Sequence, residues 1–403
     1  MTLRQAVERA LRQSPELVLT RLDEQRARAG IQIARDPFTP KVNAGSGLAY
    51  TNGYPNSIEG SAPSVIQVRT DMALYNRPKS YEVAQARENA RGAAIDTASK
   101  ADDIAFRTAS MFLDAQQLER SMQSLELEIQ ALDSVREAVR VRSTEGRELP
   151  LAIKRADLDS ARARQRLQAA VSDAQYAEES LAVVLGFPGG DRIQPVDSEQ
   201  HTSVPESEDD CVRAALANSK DVRRLESQML SKRLELKSQT SQRYPQFDLV
   251  AQYALFAKYN YQDYFQKFSR NNGQLGVAIR LPILIGAAAA GAAAQDEIDL
   301  NKLSVQMNDV RNRAVVDTRK GYQDLKRAES ARDFAKLDLE VAREQLRVLL
   351  DQMDEGRITK QAVDEARLQE QEKWIAFYDA DHVVEKAKLS LLRHTGTIQA
   401  ALR

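Results

Sequence analysis

The chain has 403 residues, of which 42% are hydrophobic and 29% are charged, and its formal net charge is -1. This balance excludes the dense basic surface that a nucleic-acid partner requires, and a single cysteine, Cys211, excludes an internal disulfide framework. The N-terminal residues are amphipathic from Met1 onward, without the apolar core of a signal peptide, so we expect this chain to lack one.

The sequence contains the same series of elements twice. Pro40 matches Pro245 at an offset of about 205 residues, and the tripeptide Glu-Gly-Arg at 145–147 recurs at 355–357, at an offset of about 210. An offset that changes so little between distant positions indicates a tandem duplication. We expect two repeats that together form one intertwined unit.

The first repeat is expected to cover 1–205 and the second 206–403. Each begins with an amphipathic helix, at about 3–35 and about 210–243, that runs into a proline. The proline ring blocks continuation of the helix and favours extended geometry at the preceding residue.

Two segments with period-2 alternation follow each of these helices and predict β-strands. The four strands are expected at about 41–51, 64–75, 246–256 and 274–285. Each has about 9 to 11 residues, which is enough to cross a bilayer when the strand is tilted. The polar faces carry four charged residues that suit a water-filled barrel lumen: Arg69, Asp71, Asp248 and Arg280. The aromatic segment 253–268 resembles an interfacial girdle, and its alternative is a satellite core under a long loop. The alternation of the four strands is also typical of a half-buried sheet in a soluble α+β protein.

A helical run of about 65 residues follows each strand pair and would be on the order of 100 Å long. Its apolar residues have coiled-coil spacing. Each run ends at a Glu-Gly-Arg turn, near 143–149 and near 353–359, where the glycine can adopt the left-handed cap conformation. A second helix then returns, at about 149–185 and about 359–392. The sequence thus predicts a mainly α-helical protomer, built from two copies of a unit of helix, two membrane β-barrel strands and a long helical hairpin.

Four strands cannot close a barrel, because two edges would stay unpaired in the hydrocarbon. Three chains would supply twelve strands, and their helical hairpins would form a hollow cylinder. Oligomerisation is therefore expected to close the barrel, and the homotrimer with a 12-stranded barrel and an α-helical coiled-coil tunnel is what the family resemblance described next implies.

Several sequence segments, in this order and in a duplicated chain, resemble the TolC-type outer membrane efflux protein family. They are LRQAVERALRQSPEL, PFTPKVNAGSGLAY, LPILIG, the two EGR turns and LLRHTGTI. The resemblance covers nearly the whole chain and implies a trimeric duct in the bacterial outer membrane with a periplasmic tunnel, without enzymatic activity or a cofactor. It implies as partners a periplasmic adaptor, an inner-membrane transporter reached through the adaptor, and outer-membrane lipid.

The resemblance places both turns at the periplasmic tip, where adaptors dock. The candidate adaptor contacts are therefore Glu145, Gly146, Arg147, Glu355, Gly356 and Arg357. In the first turn this tripeptide replaces the Val-Gly-Leu that many family members carry. The adaptor surface is accordingly more charged, and its partner cannot be transferred from the family.

The resemblance also places a gate at the second tip. The family's constricting acidic pair maps to Ala362 and Glu365, with Asp364 as a candidate substitute for the missing acid. Three copies of Glu365 would form a ring of carboxylates that attracts cations, whereas the alternative is an ordinary solvated helix charge. The family's closed-state lock maps to three residues that do not match it, so the gate must close through other contacts: Ala152, Met353 and Ile358.

The resemblance therefore implies the exit duct of a tripartite efflux pump, which passes small molecules to the exterior. The outlet of a type I protein secretion system is an alternative, because both systems use the same duct. A cytosolic coiled-coil scaffold is an alternative of another class, favoured only by the missing signal sequence. The three histidines are scattered and no Gly-rich phosphate loop follows a strand, so we expect neither a catalytic nor a metal site.

Overall fold

A computed structural model describes residues 1–47, 64–147, 149–196, 204–256, 269–283 and 286–402. The helices in these ranges are α1 (Leu3–Gln13), α2 (Pro15–Arg35), α3 (Arg77–Thr144), α4 (Pro150–Val184), α5 (Glu208–Asn218), α6 (Lys220–Thr240), α7 (Ala287–Asp354), α8 (Lys360–His394) and α9 (Ile398–Ala401). The strands are β1 (Lys41–Gly45), β2 (Ser64–Tyr75), β3 (Gln246–Phe256) and β4 (Asn271–Arg280). Single 3-10 turns follow α2 and α6, at Asp36–Phe38 and Ser241–Arg243. Both repeats thus have the same order of elements, and α9 follows the second.

The first helix of each repeat is in fact two helices, which corrects the single helix that we expected there. Ser14 and Ser219 both leave the helical region, with ψ of 124° and 116°. Pro15 explains the first break, because proline disfavours helical geometry at the residue before it. At the second break, the hydroxyl of Ser219 accepts a hydrogen bond from the backbone N–H of Val222 at 3.2 Å and so caps the next helix.

The four strands form one antiparallel sheet in the order β1-β2-β3-β4. The observed bounds of β2 and β3 are those expected from the alternation. The expected continuation of the first strand to about residue 51 is wrong at Ser46 and Gly47, because β1 ends at Gly45. Residues 48–51 lie outside the described residues, as do 257–268 of the aromatic segment and 284–285 of the fourth strand. The expected continuation of the fourth strand through Leu281 and Ile283 is wrong: β4 ends at Arg280, because Pro282 has no N–H to donate to a neighbouring strand.

The chain divides into two compact units, and each of them takes segments from both repeats. The first unit comprises Met1–Arg21, Asp96–Val222 and Asp309–Arg403, and the second comprises Leu22–Ile95 and Arg223–Asn308. The first unit holds a core at which α1, α3 and the ends of α4 and α8 meet, and its members include Ile104, Phe112, Leu181 and Leu392. Burial of each such side chain stabilises the fold by roughly 1.5–3 kcal/mol, so this core anchors the middle of α3 to the C-terminal ends of α4 and α8.

Polar contacts determine which long helices are neighbours in the first unit. Ser160 of α4 donates a hydrogen bond to Asp133 of α3 at 2.9 Å. The ammonium group of Lys386 in α8 donates to Asp114 of α3, also at 2.9 Å. The helix α3 therefore lies between α4 and α8.

The remaining long helix, α7, lies on the other side of α8. Lys373 of α8 forms an ion pair with Asp338 of α7 at 2.6 Å, and Arg343 of α7 lies 3.8 Å from Glu370 of α8. The order of the four helices is thus α4, α3, α8, α7. No helix in the described ranges is both long enough and apolar enough to span a membrane.

Candidate functional site

The two hairpin tips share one backbone geometry. The glycines Gly146 and Gly356 have φ of 70° and 73°, the left-handed conformation that favours glycine. In each tip, the N–H of the next residue, Arg147 or Arg357, donates at 2.9 Å to a carbonyl in the last turn of the preceding helix. This closure satisfies helix carbonyls that would otherwise lack a partner. The left-handed glycine expected at each tip is therefore present, although residue 148, within the first tip, lies outside the described residues.

The charged side chains of each tip pair with each other. Arg147 lies 3.5 Å from Glu145, and Arg357 lies 3.0 Å from Glu355. All four side chains are largely exposed, so each pair contributes at most about 1 kcal/mol to stability. A partner could therefore separate these pairs at little cost and bind either charge.

The two acidic gate candidates have different environments. Asp364 is only 4% exposed, and its Oδ2 atom has no hydrogen-bond partner within the described part of the chain. Glu365 is exposed and accepts a hydrogen bond from the amide of Gln361 at 2.9 Å. Of the two, Glu365 alone presents its carboxylate at the surface of the protomer.

A chain of hydrogen bonds connects the two hairpins close to their tips, and we call it the tip latch. The guanidinium group of Arg142, near the end of α3, donates to the side-chain carbonyl of Gln361, near the start of α8. The amide of Gln361 in turn donates to Glu365, while Nε of Arg142 donates to the carbonyl of Ala138 at 3.2 Å. Sequence reasoning missed the latch, because Arg142 and Gln361 are 219 residues apart and neither belongs to a motif.

The four charged residues predicted for the barrel lumen lie on one face of the sheet. In the strand register, Arg69 is opposite Gln252, Asp71 opposite Val250, Asp248 opposite Ala278 and Arg280 opposite Gln246. Directly opposed residues point to the same side, and the side alternates along each strand. All four line one cavity of about 380 Å³, together with Lys41 and Lys79. The sheet thus has one strongly polar face.

The opposite face of the sheet is apolar and exposed. Its exposed members include Val42, Ile66, Leu275, Val277 and Ile279, with exposures from 51% to 79%. A contiguous apolar surface of this kind on a protomer marks a contact with another protein or with lipid. Within the described ranges, no group of three or more His, Cys, Asp and Glu side chains is arranged to hold a metal ion.

Comparison with known proteins agrees with the duplicated fold and with the resemblance inferred from the sequence. The model of the outer membrane efflux protein family (OEP) matches residues 6–187 and 211–397, one segment in each repeat. A comparison of the sequence with curated proteins found no match.

Solved structures of outer-membrane channels have the same fold as this chain. A structure of CusC aligns with a TM-score of 0.79 and 14% identity, covering 98% of this chain and 92% of that chain. VceC from Vibrio cholerae aligns at 0.77 and 15%, covering 98% of this chain and 96% of that chain. The CmeC channel of Campylobacter jejuni aligns at 0.78 and 12%, covering 98% and 85%. At such identities the likeness shows the fold alone.

Proposed function

The chain belongs to the outer membrane efflux protein family, and from this premise we propose that it is the outer-membrane exit duct of a tripartite efflux pump. The duct would pass small molecules from a periplasmic adaptor and an inner-membrane transporter to the exterior. The observation that carries the proposal is the two-faced sheet, whose polar face bears Arg69, Asp71, Asp248 and Arg280 and whose other face exposes large apolar side chains. Such a sheet suits a wall between water and lipid.

We propose that three copies close the duct through the free edges of each protomer. The sheet ends at β1 and β4, and the row of long helices ends at α4 and α7. Both edge helices expose large apolar side chains at spacings of about 7 and 18 residues, which keep them on one side of a helix. On α4 they are Leu151, Leu158, Tyr176 and Val183, and on α7 they are Val316, Phe334, Val341 and Val348.

The net charges of the two edge helices near the tips favour contact between α4 of one copy and α7 of the next. The first 17 residues of α4 carry five basic and two acidic side chains, whereas the last 17 residues of α7 carry two basic and five acidic ones. Opposite net charges at equal distances from the tips attract, and two copies of the same edge repel. A contact between two different edges continues head to tail and can close into a ring. With three copies, the ring has twelve strands.

In this ring the tips would form the periplasmic end of the tunnel. The exposed Glu and Arg of each Glu-Gly-Arg turn would contact the adaptor. Three copies of Glu365 would meet near the axis and form a ring of carboxylates that favours cations. The tip latch would take the place of the family's lock, since it joins the two hairpins of one protomer.

Cross-linking between copies tests this proposal. Leu158 lies about 12 Å from the start of α4, and Val348 lies about 9 Å from the end of α7. Cysteines at these two positions should form disulfide-linked trimers in outer-membrane fractions, and the purified trimers should conduct ions across planar lipid bilayers. Cysteines at Leu158 and Val316, which differ in height by about 45 Å, are the matched control.

Background from the natural cysteine is expected to be low, because Cys211 is fully buried. Recovery of a monomeric protein without conductance would contradict the duct. Trimers with equal cross-linking of both cysteine pairs would contradict the proposed edge contact and leave the duct standing.

A further inference from the structure

A cavity of about 520 Å³ lies in the first unit, far from the hairpin tips. Helix α3, the junction of α5 and α6, helix α7 and the end of α8 each contribute to its wall. Asp317 of α7 lies in this wall, about 55 Å from the end of that helix. Pockets that bind small organic molecules usually have volumes of roughly 300–1,000 Å³, so the cavity has room for one. The charged residues that line it are Asp102, Asp103, Asp221, Asp317, Lys220, Arg313 and Arg393.

Two of the four aspartates are paired with basic residues of the same lining. The buried carboxylate of Asp102 forms an ion pair with Lys220 and accepts a hydrogen bond from the amide of Gln399 at 2.6 Å. Asp103 forms an ion pair with Arg393 at 2.8 Å. These two carboxylates are therefore neutralised without any ligand.

The other two aspartates, Asp221 and Asp317, form no ion pair within the described part of the chain. The remaining basic residue of the lining, Arg313, pairs instead with Asp309, at 2.9 Å, which does not line the cavity. Burial lowers the pKa of the His394 imidazole, so this neighbour of Asp317 adds no positive charge at neutral pH. The cavity therefore holds two carboxylates that have no counter-ion from the described residues.

The duplication allows the same place to be compared in the two repeats. Helix α2 begins at Pro15 and α6 at Lys220, which is an offset of 205, and the two helices have equal lengths. Helix α3 begins at Arg77 and α7 at Ala287, which is an offset of 210, again with equal lengths. These offsets give three pairs of equivalent residues: Glu16 and Asp221, Lys100 and Val310, and Arg107 and Asp317.

Basic side chains fill this place in the first repeat. Glu16 forms ion pairs with Lys100, at 2.5 Å, and with Arg107. Hydrogen bonds from these two residues hold the pKa of Glu16 below its ordinary value, and they connect the start of α2 to α3. In the second repeat, Val310 and Asp317 replace the two basic residues. The start of α6 therefore lacks the corresponding connection to α7, and a second carboxylate stands where the first repeat has a guanidinium group.

We propose that this cavity binds an organic cation of the aliphatic amine class, with an ammonium group between Asp221 and Asp317. Hydrogen bonds from an ammonium group to carboxylates are among the strong ones in proteins, and Val310 and Ala314 offer apolar surface to the carbon chain. The bound amine would connect α6 to α7 as the two basic residues connect α2 to α3. The site lies within one protomer, so it requires neither the trimer nor the proposed duct.

The lining favours an amine over other cations. Quaternary ammonium groups are recognised by cages of aromatic rings, and the described residues of the lining include no Phe, Tyr or Trp. A metal ion needs several ligands in a fixed geometry, and no such group of His, Cys, Asp and Glu occurs in the described ranges. An amine needs only carboxylate acceptors and an apolar surface, and the cavity has both.

The contact proposed between copies leaves this face of α7 accessible. Val310, Ala314 and Asp317 are separated by three or four residues, so they lie on one side of the helix. Val316, which belongs to the apolar stripe of the edge, lies about 100° from Asp317 around the helix. A neighbouring copy that packs on Val316 therefore contacts a different side of α7.

Isothermal titration calorimetry of the purified full-length protein in detergent tests the site, with spermidine as the probe. We expect saturable binding with one spermidine per protomer. Asp221→Asn and Asp317→Asn should each weaken this binding about tenfold, because each removes one of the two charges that face the ammonium group. Magnesium chloride at matched ionic strength should not displace the amine.

Asp324→Asn is the matched control. Asp324 is also on α7, about two turns after Asp317 and on the same side of the helix, but it does not line the cavity. It lies about 10 Å further along the helix, beyond the distance of about 8 Å over which 0.15 M salt screens charges. Its substitution should leave spermidine affinity unchanged.

Asp317→Arg tests the comparison between the repeats. It gives the second repeat the residue that the first repeat has at Arg107, so the new guanidinium group should occupy the place of the ligand and abolish binding. Spermidine at ten times its Kd should raise the melting temperature of the wild type by about 1–3 °C and leave that of Asp317→Arg unchanged. Circular dichroism verifies that each variant is folded.

Four results would overturn the proposal. They are a wild type that does not bind spermidine, equal affinity in the wild type and both asparagine variants, equal weakening by Asp324→Asn, and displacement of spermidine by magnesium at matched ionic strength. If Asp317→Asn does not fold, Asp221→Asn on the other helix decides the question. Ion conductance across lipid bilayers is measured separately, so the duct stands whichever result the titration gives.

Discussion

Replacement of Arg142 by alanine tests whether the tip latch holds the tunnel closed. Arg142 donates to Gln361, which donates to Glu365 at 2.9 Å. A hydrogen bond from a charged group contributes about 1.5–3 kcal/mol, and the partial exposure of this one reduces the value to about 1 kcal/mol per protomer. If three protomers open together, the change is about 3 kcal/mol, and the ratio of open to closed channels rises about 150-fold.

The conductance of the purified channel in planar lipid bilayers measures this ratio. We expect Arg142→Ala channels to be open under conditions in which most wild-type channels are closed. Gln361→Ala should have a similar effect, because it removes the same contact from the other side. The double variant should open little further, since residues that share one contact are not additive in a double-mutant cycle.

Arg140→Ala is the control for the loss of a positive charge near the tip. Arg140 is exposed on α3, close in sequence to Arg142. Its replacement should leave the open fraction as it is in the wild type. If Arg142→Ala conducts like the wild type, or if Arg140→Ala opens the channel equally, the tip latch does not hold the gate.

Four further predictions follow from single residues. Glu365→Gln should weaken block of the channel by divalent cations, because the carboxylate ring loses its charge; unchanged block would remove Glu365 from the gate. Burial lowers the pKa of His394 below its ordinary value of 6.5, with Arg393 adding to the effect and Asp317 opposing it. The unfolded chain therefore binds a proton more readily than the folded chain does, and the thermal stability should fall as the pH drops below 6.5. His394→Gln should make the thermal stability less dependent on pH, and an unchanged pH dependence would contradict the role of this imidazole. Burial also raises the pKa of the Cys211 thiol, so Cys211 should react with a thiol reagent only after denaturation, and rapid labelling of the native protein would contradict its burial. Gly356→Ala should destabilise the second hairpin by about 1 kcal/mol in denaturant unfolding, because its φ is 73°, and an unchanged midpoint would contradict this.

The strands and the hairpin tips could be predicted from the sequence because their signals are local. β2 and β3 begin and end where the alternation of apolar and polar residues does. Both tip glycines occupy the left-handed region, as the Glu-Gly-Arg turns between long helices indicated. Because the chain is duplicated, each signal occurs twice in the sequence. The family model likewise matches one segment in each repeat, 6–187 and 211–397. Membership of that family also leaves the cytosolic scaffold without support.

The contacts between hairpins could not be predicted, because they depend on how each helix is rotated about its axis. A coiled-coil pattern shows that α8 has an apolar stripe, but it does not fix which neighbour each flank meets. Asp364 and Glu365 are adjacent, yet one is buried and the other is exposed. The helix break at Ser219 could not be predicted either, because no proline follows Ser219 in the way that Pro15 follows Ser14.

The duplication also indicates how the junctions of the proposed trimer differ. Within a protomer, the rod of the first repeat, α3, meets the returning helix of the second repeat, α8. At the edge between copies, the rod α7 would meet the returning helix α4, which is the same kind of junction with the repeats exchanged. The residues equivalent to Arg142 and Gln361 at an offset of about 210 are Gln352 and Leu151. A leucine side chain cannot accept a hydrogen bond, so in the proposed trimer the latch would exist only within protomers. The closed tip of the proposed trimer would then have six junctions between helices. The three within protomers would carry the tip latch, the three between copies would be apolar, and removal of Arg142 would affect only the three within protomers.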